Sequence, residues 1–161
     1  MIVVLGSVDV EKLLEEIKII PLHEGGYGGR QVMLQTVKDS TPDYFKNLTY
    51  KEQKDEFGYE EEEFIYPIWD IPYINNLITE LNMHRARLLM VPPYANYSYH
   101  TDPSKRIHIP VITHEDCFFL MEDEILRCPV GHSYLVDTTK KHTFVNASEN
   151  CNRIHIVGCV K

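Results

Sequence analysis

The sequence has no apolar run long enough to cross a membrane, no pair of cysteines at metal-binding spacing, and no basic run longer than two residues, as at Lys140–Lys141. Each absence removes a class of function. The opening "MIVVLGSVDVEKLLEEI" lacks a basic leader and its apolar run breaks at Gly6 and Asp9, so neither a signal peptide nor a spanning helix is expected. Cys117, Cys128, Cys151 and Cys159 show no C-x-x-C spacing. With no export signal, reduced thiols in a cytoplasmic protein are the simplest expectation, and zinc held by these cysteines is not expected. A formal charge of -8 and a pI near 5.4, with no basic patch, disfavour a phosphate backbone as partner.

What is present fits one domain of 161 residues, mainly β with flanking N-terminal helices. Residues 1–84 read as a helical and irregular buttress, and 85–161 as a β core. "SVDVEKLLEEIKII" has Val10, Leu13, Leu14 and Ile17 at helical spacing behind Ser7 or Asp9 as cap. "DIPYINNLITELN" repeats the pattern with Ile74, Leu77, Ile78 and Leu81, Pro72 in the first turn and Asp70 as the expected N-cap. Between them, "HEGGYGGRQVMLQTV" gives a glycine-rich turn before a strand over Gln31 to Val37. That is the wrong order for a phosphate loop. Lys38 to Trp69 is the least regular stretch and a possible lid, and its charge run "YEEEEF" reads as a solvated face or mobile insertion.

From Arg85 the pattern changes to short strand-like runs: "ARLLMV", "YSYHTD", "RIHIPVI", "CFFLM", "EILRCPV", "SYLVDT", "HTFVN" and "RIHIVGCV". Such spacing predicts a sandwich or barrel. In "YHTDPSKRIHIPV" the polar groups are too many for packing alone, since each buried one needs a partner. On a strand, His100 and Asp102 would share a face, and His142 could supply a third ligand if the fold returned the chain. Two histidines and a carboxylate are the ligand set of non-haem Fe(II) oxygenases. A tight turn near Ala147–Ser148 would set His142 opposite Arg153, whose guanidinium suits the far carboxylate of a metal-chelating dianion. "KRIHIPV" and "NRIHIVG" echo each other, with Arg and His on one face and isoleucines on the other. Tyr94, Tyr97 and Tyr99 read as strand packing, and His23, His84, His114 and His132 have no spacing argument. Arg30 and Gln31 could meet a substrate carboxylate or amide, although an ordinary surface role suits them better.

"ARLLMVPPYANYSYHTD", "RIHIPV", "GHSYLVDTTKKHTFVNAS" and "RIHIVG" together resemble the aspartyl/asparaginyl β-hydroxylase family of Fe(II)- and 2-oxoglutarate-dependent dioxygenases. Gly131, Asp137, His142, Asn146 and Arg153 match the family's closing series. The resemblance implies a double-stranded β-helix of cupin-like jelly-roll form. It further implies His100, Asp102 and His142 as iron ligands, Arg153 as the 2-oxoglutarate carboxylate partner, and Arg106 and His108 as further co-substrate contacts. With O2 as oxidant, the implied reaction hydroxylates an amino-acid side chain and releases succinate and CO2. The R-x-H pair stands closer to the metal histidine here than in the best-known members. The substrate would be a small molecule, a free amino acid such as proline, or an Asp/Asn-type residue in a peptide or protein. Alternatives on the same residues are a non-catalytic metal- or carboxylate-binding module, a nucleic-acid demethylase, disfavoured by charge, and a zinc hydrolase.

Overall fold

The computed structural model describes residues 1–22, 30–40 and 58–161. The glycine-rich turn with His23, and residues 41–57 of the possible lid, lie outside the described residues. Strand β1 (Ile2–Ser7) leads into helix α1 (Val10–Glu16), whose first turn is capped by Asp9, its carboxylate accepting from Lys12 N at 3.2 Å. Of the expected stripe, Leu13 is fully buried and Ile17 packs at the core margin, whereas Leu14 faces outward. Helix α2 (Pro72–Glu80) buries Ile74 and Ile78 in the same core.

Asp70 does not cap α2. The N-cap residue is Ile71, which offers no side-chain acceptor, and Glu16 at the end of α1 serves instead. Its two carboxylate oxygens accept from Tyr73 N and Ile74 N, each at 2.8 Å. Here α1 supplies a negative group to the orphan donors and positive dipole end of α2, which fixes how the helices meet.

The expected strand over Gln31–Val37 is broken at Leu34 into β2 (Arg30–Met33) and β3 (Gln35–Thr36), and β3 pairs with β4 (Tyr66–Pro67). The remaining strands are β5 (His84–Val91), β6 (Ala95–Asn96), β7 (Lys105–Ile112), β8 (Cys117–Met121), β9 (Glu124–Leu126), β10 (His132–Val136), β11 (His142–Asn146) and β12 (Arg153–Val160). They form two antiparallel sheets, ordered β1-β10-β7-β12-β5-β2 and β6-β11-β8-β9. No sheet closes on itself among the described residues. Gly131, just before β10, has φ +97°, a conformation that L side chains rarely adopt.

Alternation along the larger sheet creates the site. Leu88, Ile107, Ile109, Ile154 and Ile156 share a core with α1 and α2. Arg106, His108 and Arg153 lie on the other face and line a cavity that is also walled by Phe119 of β8 and Phe144 of β11. The result is helices, six-stranded sheet, cavity and four-stranded sheet in succession. Among the described residues no helix is long and apolar enough to cross a membrane.

Two expected local features are absent. β11 and β12 do not form a hairpin, because β11 pairs with β6 and β8 while β12 pairs with β5 and β7. The link between them crosses from one sheet to the other. "YSYHTD" is not a continuous strand either, and His100 makes only an isolated bridge, to His142.

Candidate metal centre and anion pocket

His100 and His142 exchange both backbone hydrogen bonds, His100 N to His142 O at 2.9 Å and His142 N to His100 O at 2.8 Å. That bridge brings their rings to 4.6 Å between centroids. Asp102 follows in an irregular loop, held by its backbone N–H to Thr138 O at 2.8 Å. Ligand atoms of His100, Asp102 and His142 all fall within 4.8 Å of one another. Asp102 Oδ1 is 3.9 Å from His100 Nε2 and Oδ2 is 3.9 Å from His142 Nε2.

The ring tautomers follow from their neighbours. His100 Nδ1 lies 2.6 Å from Ser98 O, and His142 Nδ1 lies 2.9 Å from Lys140 O. Carbonyls only accept, so each Nδ1 carries a proton, and in its neutral form each ring presents an Nε2 lone pair. Both lone pairs are on the atoms nearest Asp102. Burial, with help from neighbouring His100 and Arg106, pulls His142 below the ordinary histidine range. Low basicity favours the neutral form that a metal requires.

Behind this triangle stands a buried charge network. Arg106, 3% exposed, presents its fork to Glu61, 5% exposed, with Nη2 to Oε1 at 2.9 Å and Nη1 to Oε2 at 3.0 Å. Its Nε lies 3.3 Å from Asp102 Oδ2, as an ion pair off the line of a hydrogen bond. Burial pushes the Glu61 carboxyl up, but the Arg106 hydrogen bonds and charge outweigh it and bring the group down to about 2. For Arg106 burial pulls down, while Cys159, Asp102 and Glu61 raise it above its usual value. Glu61 is thus no part of a solvated face. The run "YEEEEF" is amphipathic at the scale of one turn, a 3-10 helix over Glu61–Glu63 that buries Glu61, half-buries Glu62 and exposes Glu63. The fork of Arg106, expected as a further co-substrate contact, already holds Glu61.

The far end of the cavity differs. Arg153, 1% exposed, lies with its guanidinium 3.7 Å from the centroid of Phe144 and has no ion-pair partner among the described residues. Burial brings it down to about 9. Its Nη2 donates to His155 Nδ1 at 2.5 Å, which leaves the His155 proton on Nε2, a buried atom without a hydrogen-bond partner among the described residues. Burial and the nearby Arg153 hold both His108 and His155 well below the usual histidine range, so both are neutral at pH 7.

Asn146, fully buried, joins the two sheets behind Arg153. Its Nδ2 donates to Val91 O at 2.9 Å and Cys151 O at 2.8 Å, and its Oδ1 accepts from Ser148 N and Oγ. Val91 is the register partner of Arg153, so the clamp fixes where that arginine begins its strand.

The cavity measures about 190 Å³ and is lined by the three ligand candidates together with Arg87, Arg106, His108 and Arg153. Gln31 and Tyr97 also line it, whereas Tyr94 and Tyr99 are exposed, and nothing is described of the Arg30 side chain. His84, His114 and His132 lie elsewhere. Sequence reasoning missed Arg87 and Glu61, and placed His155 on the polar face beside Arg153 without giving it a role. Alternation could have found Arg87, which shares the cavity face with Leu89.

The sequence profile of the aspartyl/asparaginyl beta-hydroxylase family matches residues 59–160. No curated protein sequence matches the chain. Among solved structures, a cupin 2 domain-containing protein from Halorhodospira halophila aligns over 45% of this chain and 50% of its own, at 13% identity and TM-score 0.38. The chain therefore spans half the length of that protein. An oxidoreductase of the 2OG-Fe(II) oxygenase family from Burkholderia pseudomallei aligns over 98% of this chain and 73% of its own, at 9% identity and TM-score 0.37. With the profile match covering more than half of its residues, the chain belongs to the aspartyl/asparaginyl β-hydroxylase family.

Proposed function

We propose that the protein is an Fe(II)- and 2-oxoglutarate-dependent dioxygenase that hydroxylates an amino-acid side chain, its two sheets forming a double-stranded β-helix. The observation that carries this reading is the pair of preset imidazoles, each with Nδ1 engaged by a carbonyl and Nε2 beside the Asp102 carboxylate. Two neutral nitrogens and one carboxylate suit a divalent iron, and the donor set fits. When bound, iron with 2-oxoglutarate and O2 supplies the oxidising chemistry, with succinate and CO2 as by-products.

His100, Asp102 and His142 would hold the metal. Arg153, unpaired and backed by Phe144, would take the distal carboxylate of 2-oxoglutarate, and the aromatic wall strengthens that pairing by excluding water. His108 and His155, both neutral, add no charge to the pocket and leave Arg153 as its innermost cation.

Charge also speaks to the substrate. Arg87 lines the cavity, its Nη1 is buried without a hydrogen-bond partner, and no carboxylate pairs with it among the described residues. One unpaired guanidinium serves the co-substrate, and the second calls for another anion. The reading is therefore a substrate that carries its own carboxylate, such as a free amino acid or an acidic side chain.

The test is anaerobic addition of Fe(II) and then 2-oxoglutarate, watching for the visible metal-to-ligand charge-transfer band. The band should appear in the parent, vanish in His142→Ala and weaken in Arg153→Ala. A folded, metal-loaded parent with no band would overturn the proposal.

A further inference from the structure

Resting on the reading of His100, Asp102 and His142 as a metal site, we propose that Glu61 is a positioning residue for Asp102, acting through Arg106. Asp102 needs such help. It sits in a loop, without the two strand neighbours that would fix a ligand on a sheet, and its backbone N–H has one carbonyl partner, Thr138 O.

Glu61 is itself rigidly mounted. Its turn opens on a reciprocal cap, in which Glu60 N donates to Glu63 Oε2 at 2.8 Å while the Glu60 side chain accepts from Glu63 N. Phe64, fully buried, ends the turn, and its carbonyl accepts from Arg85 N of β5 at 2.8 Å. Ser104 Oγ donates to Glu61 Oε2 at 2.7 Å, and Ser104 O accepts from Thr138 Oγ1 at 2.8 Å. The acid and the loop of Asp102 are thereby tied to the same short stretch of backbone.

Two consequences follow for Arg106. A bidentate carboxylate fixes the plane of its guanidinium, so that Nε is left on the side of Asp102. Glu61 also neutralises the cation. Without that charge, the fork would be free to turn onto Asp102 and engage both its oxygens, in competition with a metal. Glu61 thus keeps Asp102 oriented and available to a divalent cation.

Co(II), followed by its visible ligand-field bands, is the probe, titrated into the full chain without 2-oxoglutarate. The parent should bind, and His142→Ala should not. Glu61→Gln should bind about 10- to 100-fold more weakly, the range typical for loss of a group that orients a ligand, with an altered band shape. In an Arg106→Gln background, Glu61→Gln should add no further weakening, because its route to the metal is already cut. If Glu61→Gln does not fold, Arg106→Lys decides: it offers Glu61 a charge but has no Nε to hold Asp102, so it should weaken Co(II) similarly. Parent-like affinity and spectrum in folded Glu61→Gln, or in Arg106→Lys where that variant decides, would overturn the positioning role while the metal site stood. Failure of the parent to bind, or binding by His142→Ala, would instead overturn the metal reading.

Discussion

Arg106 and Arg153 begin two copies of the same four residues, Arg-Ile-His-Ile, on the paired antiparallel strands β7 and β12. Both are almost fully buried, and both turn away from the helices while their isoleucines pack beneath. Antiparallel pairing sends them to opposite ends of the cavity, where their fates diverge. Arg106 meets Glu61 and Asp102 and is held charged, whereas Arg153 meets Phe144 and His155 and is pulled down to about 9 by burial. Alternation decides which way a side chain points. What it finds there is decided by other parts of the chain. One arginine has become part of the frame, and the other is left with an unmet charge, which is the condition for binding an anion.

The sharpest way to break this contrast is to remove each charge in turn and follow chemical denaturation. Arg106→Met leaves Glu61 as a buried carboxylate without its main partner and should destabilise the protein by about 3–5 kcal/mol. Arg153→Met removes an unpaired buried cation for a similar apolar volume, and should stabilise the metal-free protein by about 1–2 kcal/mol while abolishing the protection given by 2-oxoglutarate with Mn(II). Equal losses in the two variants would show that the arginines are not different in kind.

Acid offers a second separation. His108 and His155 have folded values below that of the unfolded chain, so nothing is lost above pH 6.5, and below it the unfolded state binds protons that the native state refuses. Stability should fall on acidification by up to about 1.4 kcal/mol per pH unit for each histidine. Glu61, by contrast, keeps its contribution until the pH drops below about 4.5 and loses it as the pH falls through about 2. Denaturant midpoints at pH 7.5, 6.5 and 5.5 should therefore report the histidines and not the acid, and a flat profile would contradict that assignment. The smallest effect is expected of Arg87→Gln: a higher KM for a carboxylate-bearing substrate, with the 2-oxoglutarate charge-transfer band intact. Loss of that band would move Arg87 to the co-substrate.

Much of the site was legible because its residues obey local rules. The faces of Arg106, His108 and Arg153 followed from a period of two, and the His100–Asp102 pair from proximity along the chain. The reason given for that pair was wrong in detail, since His100 is held by an isolated bridge and not by a strand. The expected meeting of His142 and Arg153 also came about by another route. They line one cavity from opposite sheets, because the polar turn at Ala147–Ser148 is drawn into the Asn146 clamp and cannot close a hairpin. Glu61 was hidden, because a run of four acids looks solvated until a buried arginine claims one of them. Asp70 failed as a cap because Glu16, distant in sequence, fills that place.

The sequence by itself determined what depends on neighbours along the chain: a β core with two amphipathic helices, the polar and apolar faces of its strands, and the donor types available at His100, Asp102 and His142. Only the tertiary structure decided what depends on partners far apart: which arginine is neutralised, which imidazole nitrogen carries the proton, and which acid is buried. Those outcomes turn on contacts of a few ångströms between segments tens of residues apart, and the strength of a charge in a protein is set by such contacts and by its distance from water.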